Sequence, residues 1–232
     1  TLKRNTPYYW KVKVYTHTNE TDWSEPASWS MGLLNEADWQ GQWIGLDRPA
    51  PGDSETQWSR LAARYLRKEF ALTKEVKRAT VHIAGMGLYE LFINGQRIGE
   101  QVLAPAPTDY RKTILYNTYD VTPQLRKENA IGVILGNGRF YTMRQNYKPY
   151  KIPTFGYPKL RLNLIVEYTD GSRQTIASDI SWKLTTEGPI RSNNEYDGEE
   201  YDARKELGDW NRTGYDDTNW ISAQRVSIPS GT

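Results

Sequence analysis

Short alternating segments separated by turn signals limit the fold of this sequence more than any other feature. From Leu160 to Tyr168, large apolar residues occupy every second position, with mostly polar residues between them, which predicts a strand with one buried face. Asp170-Gly171 then marks a turn, and Asn94-Gly95 after residues 89–93 is a strong hairpin signal. No segment sustains a helical period over three turns. The chain is therefore predicted to be an all-β sandwich or jelly roll rather than a βαβ fold.

The first residues carry a separate pair of predicted strands. Residues 8–14 alternate, with aromatic and valine side chains on one face, which predicts a half-buried strand. Residues 23–30 can form its partner, with Pro26 suited to a sheet edge. Two strands are too few for a stable domain. The pair resembles the last hairpin of a fibronectin type III-like module, whose other strands would precede Thr1.

We expect four successive segments along the 232 residues. The partial fibronectin type III-like hairpin occupies 1–34, and a linker with clustered Pro and Gly occupies 35–57. A jelly-roll or galactose-binding-like β-sandwich follows at 58–228, and a short tail at 229–232. No signal peptide leads the chain, and its abrupt start predicts a piece cut from a longer protein.

Composition excludes several classes of function. Thirty basic and 28 acidic residues give a net charge of +2 without long runs of one sign, so nucleic acid is not an expected partner. The absence of cysteine excludes disulfides, thiolate metal sites and a cysteine nucleophile. No apolar stretch reaches the roughly 20 residues of a membrane span. Nine Trp and 16 Tyr are typical both of sandwich cores and of sugar-binding surfaces.

A set of motifs in the sandwich region resembles the N-terminal domain of bacterial α-L-rhamnosidases. Each motif alone is weakly specific, but their order and spacing match over approximately residues 39–223. The matching segments are 89–99 (YELFINGQRIG), 107–111 (PTDYR), 115–122 (LYNTYDVT), 129–141 (with NAIGV and LGNGRFY) and 194–204 (NEYDGEEYDAR).

This resemblance implies a multidomain exo-glycosidase that removes terminal α-L-rhamnose with inversion. Such chemistry needs a carboxylic acid and a carboxylate with room for water between them. In the family they act in an α/α barrel, which would follow this chain, and no helical repeat is found here. We therefore expect an accessory, non-catalytic region. Its expected partners are the downstream catalytic domain and rhamnose-containing glycans, in the periplasm or on the outer surface of a bacterium.

The densest acidic cluster lies within the last of these motifs. Its carboxylates could form a general acid and base, or a calcium site built from oxygen ligands. In an extended strand, however, they would point to opposite faces and could not all converge. The interpretation favoured here is a structural motif or an interdomain contact. The carboxylates are Asp197, Glu199, Glu200 and Asp202.

A candidate carbohydrate site lies at one end of the sandwich, where loops on a rigid scaffold tend to carry binding residues, although a structural role for the same residues is the interpretation favoured here. In some family members the homologous region binds rhamnose with calcium, and Asp109 and Asn137 are the matching kind of residue. Alternatively, Asp109 caps a turn and Asn137-Gly138 provides a positive-φ bend. The candidate residues are Asp109, Tyr110, Asn137, Arg139 and Tyr141.

Three rival functions remain open. The chain could be a purely structural spacer, an autonomous lectin-like module or an enzyme complete in itself. A spacer would pack the candidate sugar-binding side chains, whereas a binding module would gather them in an exposed concavity. A histidine-based triad or metal site is not expected because His17 and His82 lie in separate modules.

Overall fold

The computed structural model describes residues 2–47, 61–142 and 155–227. The chain divides into two compact units, Thr1–Trp39 and Gln40–Thr232. In the first unit, β1 (Pro7–Trp10) pairs antiparallel with β2 (Ala27–Ser30), and a 3₁₀ turn spans Glu36–Asp38.

Strand β1 ends at Trp10, earlier than predicted. Trp10 is 52% exposed, and Val12 and Val14 are exposed as well, because the described residues of this unit form a single two-stranded layer. Tyr8 is half-buried and stacks on Trp29 with ring centroids 5.2 Å apart. The prediction of a half-buried strand through residues 8–14 was therefore wrong.

The second unit consists of short strands. Two 3₁₀ turns, Thr122–Gln124 and Ala203–Lys205, interrupt them, and none of the described helical segments is long and apolar enough to cross a membrane. The strands are β3 (Ile44–Gly45), β4 (Arg64–Ala71), β5 (Val76–Met86), β6 (Leu88–Ile93), β7 (Gln96–Ile98), β8 (Asn117–Asp120), β9 (Glu128–Gly136), β10 (Lys159–Tyr168), β11 (Arg173–Ala177), β12 (Lys183–Thr185), β13 (Ile190–Asn194), β14 (Gly198–Tyr201), β15 (Ile221–Ser222) and β16 (Gln224–Arg225).

Most of these strands form two antiparallel sheets that share one core. The first sheet has the order β16-β3-β10-β5-β8, with β11 also paired to β10, and the second has the order β15-β12-β4-β9-β6-β7. Strands β13 and β14 form a separate hairpin. Fully buried side chains from both sheets, such as Leu162 on β10 and Val133 on β9, belong to one hydrophobic cluster. The prediction of an all-β fold is confirmed.

Residues 40–47 are part of the sandwich although they lie in the range predicted to be a linker: Gly41 contacts side chains of β10, and Ile44–Gly45 form strand β3 of the first sheet. The backbone of Gly41 donates to Asn163 Oδ1 (2.7 Å) and accepts from Arg161 Nε (2.7 Å), so both polar residues of β10 are buried. A Cβ on Gly41 would overlap the carbonyl oxygen of Leu162. Because Ile44 is also fully buried, this part of the predicted linker belongs to the sandwich.

A buried arginine attaches residues 210–217 to the second sheet. Arg67 on β4 has a side chain only 1% exposed. Its guanidinium donates to the carbonyl oxygens of Trp210 (2.8 Å) and Arg212 (3.0 Å), and it forms ion pairs with Glu69 and Asp217. A buried charge needs such partners because its desolvation is costly.

His82, in the first sheet, is a titratable residue whose side chain is buried. It lies on β5, is fully buried, and its Nδ1 is 2.9 Å from Thr118 Oγ1. Burial, and then the positive charge of Arg78, lower the pKa of His82 to about 4. The neutral imidazole is therefore the form that this fold accepts.

We predict that His82 makes the fold less stable in mild acid. The unfolded chain binds a proton near pH 6.5, but the folded chain binds it only near pH 4, so the free energy of unfolding falls between these values by up to about 3 kcal/mol. His82→Gln should flatten this part of the profile, measured by urea unfolding at pH 7, 6 and 5. Equal slopes for the parent and the variant would contradict the assignment.

Candidate functional site

Asp109 acts as the cap of a turn. Its carboxylate accepts hydrogen bonds from the backbone N–H (3.3 Å), Nε (3.0 Å) and a terminal nitrogen (3.3 Å) of Arg111. Its own carbonyl accepts from the backbone N–H groups of Lys112 and Thr113. The Arg111 side chain lowers the pKa of Asp109. The carboxylate is thus engaged locally, as in the alternative interpretation of this residue.

Tyr110 is packed among aromatic rings. It is 6% exposed and meets Phe140 and Phe155 edge-on, with ring centroids 5.2 and 5.3 Å away. Phe140 and Phe155 are themselves stacked. Desolvation by this packing raises the pKa of Tyr110. Its ring is part of a small core and presents no open face to a sugar.

Asn137 and Tyr141 are also buried. Asn137 is 2% exposed, and its Nδ2 donates to the carbonyl oxygen of Leu61 at 2.8 Å. Tyr141 is 3% exposed and stacks on Tyr157 with centroids 5.8 Å apart. In contrast, Asn137 Oδ1 is buried without a hydrogen-bond partner among the residues that the structure describes.

Arg139 is the exposed member of the predicted set. Its side chain is 46% exposed, and its Nε donates to Glu195 Oε2 at 2.7 Å. This ion pair raises the pKa of Arg139. The five candidate residues therefore do not gather in one exposed concavity: three are packed, and the other two are held in ion pairs.

The acidic motif is spread over a turn, a strand and a cap. Asp197 lies in the turn of the β13–β14 hairpin and accepts from Asn194 Nδ2 at 3.1 Å. Glu199 and Glu200 are exposed on β14. Asp202 caps the following 3₁₀ turn through three hydrogen bonds from Arg204, which lowers its pKa to about 2.

Within the described residues, these carboxylates are not gathered into a metal centre. No cluster of three or more His, Cys, Asp or Glu residues suited to a metal ion occurs in residues 2–47, 61–142 and 155–227. The motif instead builds a hairpin that stands outside both sheets.

The β13–β14 hairpin bounds a cleft that the sequence analysis did not anticipate. The cleft has a volume of about 590 Å³ and runs beside β6 and β9. Its described lining combines apolar side chains with asparagines and glutamates. The side chains that line it include Leu88, Glu90, Leu103, Ile134, Ile190, Asn193, Glu195 and Glu199.

A close contact between the Asn193 side chain and the backbone of Gly136 and Asn137 fixes the hairpin at this cleft. The backbone N–H of Asn137 donates to Asn193 Oδ1 at 2.6 Å. A Cβ on Gly136 would lie 2.6 Å from that oxygen, so glycine is required for the approach. The backbone N–H of Ala63 also donates to the carbonyl of Ile190 at 3.0 Å. From the sequence, Gly136 and Asn137 indicated only a bend of the backbone. Their contact with Asn193, 56 residues further along the chain, could not be predicted.

Leu103 lies at the same cleft in an unfavourable backbone conformation. It is 71% exposed and has φ 55°. For a residue with a Cβ, this left-handed region costs about 1–2 kcal/mol. Neighbouring Val102 is 76% exposed. Such strain is concentrated at sites of binding and switching.

We predict that Asn193 secures the hairpin. Asn193→Ala leaves the Asn137 N–H without its acceptor, so the free energy of unfolding should fall by about 1–3 kcal/mol. Asn219→Ala, at an exposed position, is the matched control and should change it by less than about 0.5 kcal/mol. Urea unfolding measures both. An Asn193 variant as stable as the control would show that the contact is not needed.

The described residues form an all-β fold of antiparallel sheets, and comparisons with known proteins specify the family. The model described as alpha-L-rhamnosidase N-terminal domain matches residues 74–232. The chain belongs to this family. A second model, the Rha78A-like N-terminal immunoglobulin domain, matches residues 1–35. The hairpin of the first unit is thus similar to part of an immunoglobulin-type domain.

Curated relatives are much longer than this chain. It is 43% identical to an alpha-L-rhamnosidase of Formosa agariphila over 97% of its own length and 26% of the relative. It is 37% identical to one from Streptomyces avermitilis, covering 91% of the chain and 20% of the relative. The chain therefore spans about a quarter or less of the relatives it matches.

Solved structures agree with this assignment. An alpha-L-rhamnosidase from Dictyoglumus thermophilum superposes with a TM-score of 0.86 at 40% identity, over 100% of this chain and 26% of that one. One from Aspergillus terreus gives 0.90 at 36% identity, over 99% and 27%. The described β-rich architecture is thus that of the N-terminal part of these enzymes.

Proposed function

We propose that this chain is a non-catalytic accessory region of an α-L-rhamnosidase that hydrolyses terminal α-L-rhamnosyl residues of glycosides or polysaccharides. The observation that carries the proposal is the match of nearly the whole chain to about a quarter of longer rhamnosidases. Its role is to hold the catalytic part in position. The finer topology we propose is a jelly-roll or galactose-binding-like sandwich.

Two observations on side chains support a mechanical role. Asp109 and Asp202, which the sequence offered as candidate functional carboxylates, cap turns through hydrogen bonds from nearby arginines. Tyr110, Asn137 and Tyr141 stabilise the interior of the sandwich. For the whole protein we further propose the periplasm or the outer surface of a bacterium, because glycan polymers are met there.

We predict that activity resides in the longer protein. The 232-residue chain alone should release no nitrophenol from nitrophenyl α-L-rhamnoside, whereas the longer protein that contains it should hydrolyse this substrate. Both are assayed at equal molar concentration, with a nitrophenyl glucoside as the substrate control. Turnover by the chain alone would overturn the non-catalytic assignment.

A second candidate function is carbohydrate binding by the loop at Asn137. The observation in its favour is the buried Asn137 Oδ1, an acceptor to which none of the described residues donates a hydrogen bond. A sugar hydroxyl could satisfy it, since buried polar groups normally have partners. Calcium fits less well, because Asp109 is already held by Arg111. An autonomous lectin-like module would bind glycans in the same way without an attached hydrolase.

Calorimetric titration with L-rhamnose, with and without calcium, separates these candidates. Carbohydrate binding predicts saturable heat that Asn137→Ala abolishes while Asp109→Ala preserves it in the absence of calcium. The accessory role alone predicts no heat in either case. Thermal unfolding of each variant serves as the control, because Asn137 also bonds to the Leu61 carbonyl and its loss lowers stability.

A further inference from the structure

A groove at the turn between β4 and β5 carries an excess of positive charge. It has a volume of about 390 Å³ and lies between residues 72–76 and residues 125–127. Lys74, Arg126 and Lys127 are its basic lining residues, and Glu75 is the acidic one. Three basic residues against one acidic residue leave the lining with a net charge of +2, which equals the net charge of all 232 residues. Such a surface attracts ligands of the opposite sign.

Two of these three cations have no carboxylate partner. Lys74 has one, since its Nζ lies 2.8 Å from Asp170 Oδ2. In the part of the chain that the structure describes, no carboxylate forms an ion pair with Arg126 or Lys127, and both residues are exposed. Glu75, in the same lining, is not paired with either of them. The groove therefore keeps two positive charges available for a ligand.

The fold fixes the segment that carries these two charges. The backbone N–H of Arg126 donates to Asn129 Oδ1 at 2.8 Å, and the carbonyl of Arg126 accepts from Asn129 Nδ2 at 2.7 Å. Asn129 is fully buried. The carbonyl of Lys127 accepts from the backbone N–H of Leu72 at 2.8 Å, which joins the two sides of the groove. Because these backbone positions are set before a ligand arrives, binding has less ordering to offset.

The remaining lining residues define the ligand further. Leu72, Val76 and Leu125 give the groove an apolar wall, which suits the C–H face of a sugar ring. A guanidinium donates two parallel hydrogen bonds to an oxyanion, and an ammonium adds a compact charge. The groove also has the size of small-ligand sites, which range over roughly 300–1,000 Å³. A sugar unit with a carboxylate or sulfate group uses all of these features, whereas a neutral sugar leaves both charges unpaired.

We propose that the groove between residues 72–76 and 125–127 binds an acidic unit of a polysaccharide, with Arg126 and Lys127 pairing with its carboxylate or sulfate group. This inference rests on the proposed function, since an accessory region of an α-L-rhamnosidase meets polysaccharide chains. It deepens that function by assigning the region a preference for acidic over neutral chains. The groove is separate from the Asn137 loop, because none of its described lining residues belongs to residues 137–142.

Affinity electrophoresis of the 232-residue chain tests the proposal. Migration is measured in native gels that contain polygalacturonate, dextran sulfate or neutral dextran. We expect retardation by at least one of the two acidic polymers and none by dextran. The polymer that retards the chain more strongly identifies carboxylate or sulfate as the preferred group. Added salt should abolish the retardation, because it screens charge pairs at an exposed site.

A paired set of variants locates the binding. Arg126→Gln combined with Lys127→Gln should weaken binding at least about fivefold, because it removes both unpaired charges. The matched control combines Arg225→Gln with Lys3→Gln, which removes two exposed positive charges outside the groove and should bind like the parent chain. Thermal unfolding should show that all four substitutions, at exposed positions, leave the fold stable.

Other results would overturn the proposal. Equal loss of binding in the control variant would mean that net charge alone causes the retardation. No retardation by either acidic polymer would mean that the groove takes no acidic glycan, and equal retardation by dextran would mean that charge plays no part. Release of the chain by inorganic sulfate, but not by sodium chloride of equal ionic strength, would mean that the groove takes a small anion rather than a glycan unit.

Hydrolysis of nitrophenyl α-L-rhamnoside by the longer protein separates this inference from the proposed function. If the longer protein is active but the acidic polymers do not retard the chain, only the groove is refuted. If the longer protein is inactive, the proposed function is refuted, whatever the groove binds.

Discussion

The outer face of the second sheet depends on the interactions of the Arg67 guanidinium. A charge that is 1% exposed would be very costly without partners, and here two carbonyl oxygens and two carboxylates surround it. Residues 210–217 supply three of these four partners. If this segment lifted away, the guanidinium would lose three of its four protein partners, so the segment and β4 stabilise each other.

This attachment positions the aromatic layer over the sheet. Trp210 lies against Gly132 of β9, where a Cβ would come within 2.8 Å of the ring. Trp210 also meets Tyr65 edge-on at 5.3 Å and stacks with Trp220 at 6.2 Å. Ile190 packs against the same cluster and lines the cleft. The β13–β14 hairpin is therefore attached to the aromatic layer through Ile190, in addition to its hydrogen bonds with Ala63 and Asn137.

Local sequence signals predicted the sheets well because they report single strands. The period of two from Leu160 to Tyr168 became β10, and Asn94-Gly95, with φ of 52° and 82°, became the turn between β6 and β7. The same signals do not identify residues that are buried by segments distant in the sequence. The sequence places Arg161 on the polar face of β10, but the backbone at Gly41 covers its side chain. The coverage depends on a contact 120 residues away, which no periodicity encodes.

The candidate sugar site was ambiguous from the sequence for a related reason. Asparagine and aspartate satisfy backbone groups as readily as they bind ligands, and tyrosine fills a core as readily as it forms a platform for a sugar. At Asn137 the structural role dominates: its backbone anchors the hairpin through Asn193, and its side-chain amide bonds to the Leu61 carbonyl.

The hydrogen bonds of the candidate carboxylates show how the fold uses these residues. Asp109, Asp197 and Asp202 are all held by their own neighbours, so they have little capacity left for a ligand. Asn137 Oδ1 is the contrasting case among the candidate residues, because no described residue donates a hydrogen bond to this buried acceptor. The fold therefore accounts for the geometry of the candidate carboxylates, whereas Asn137 is the residue at which a ligand would gain a hydrogen bond.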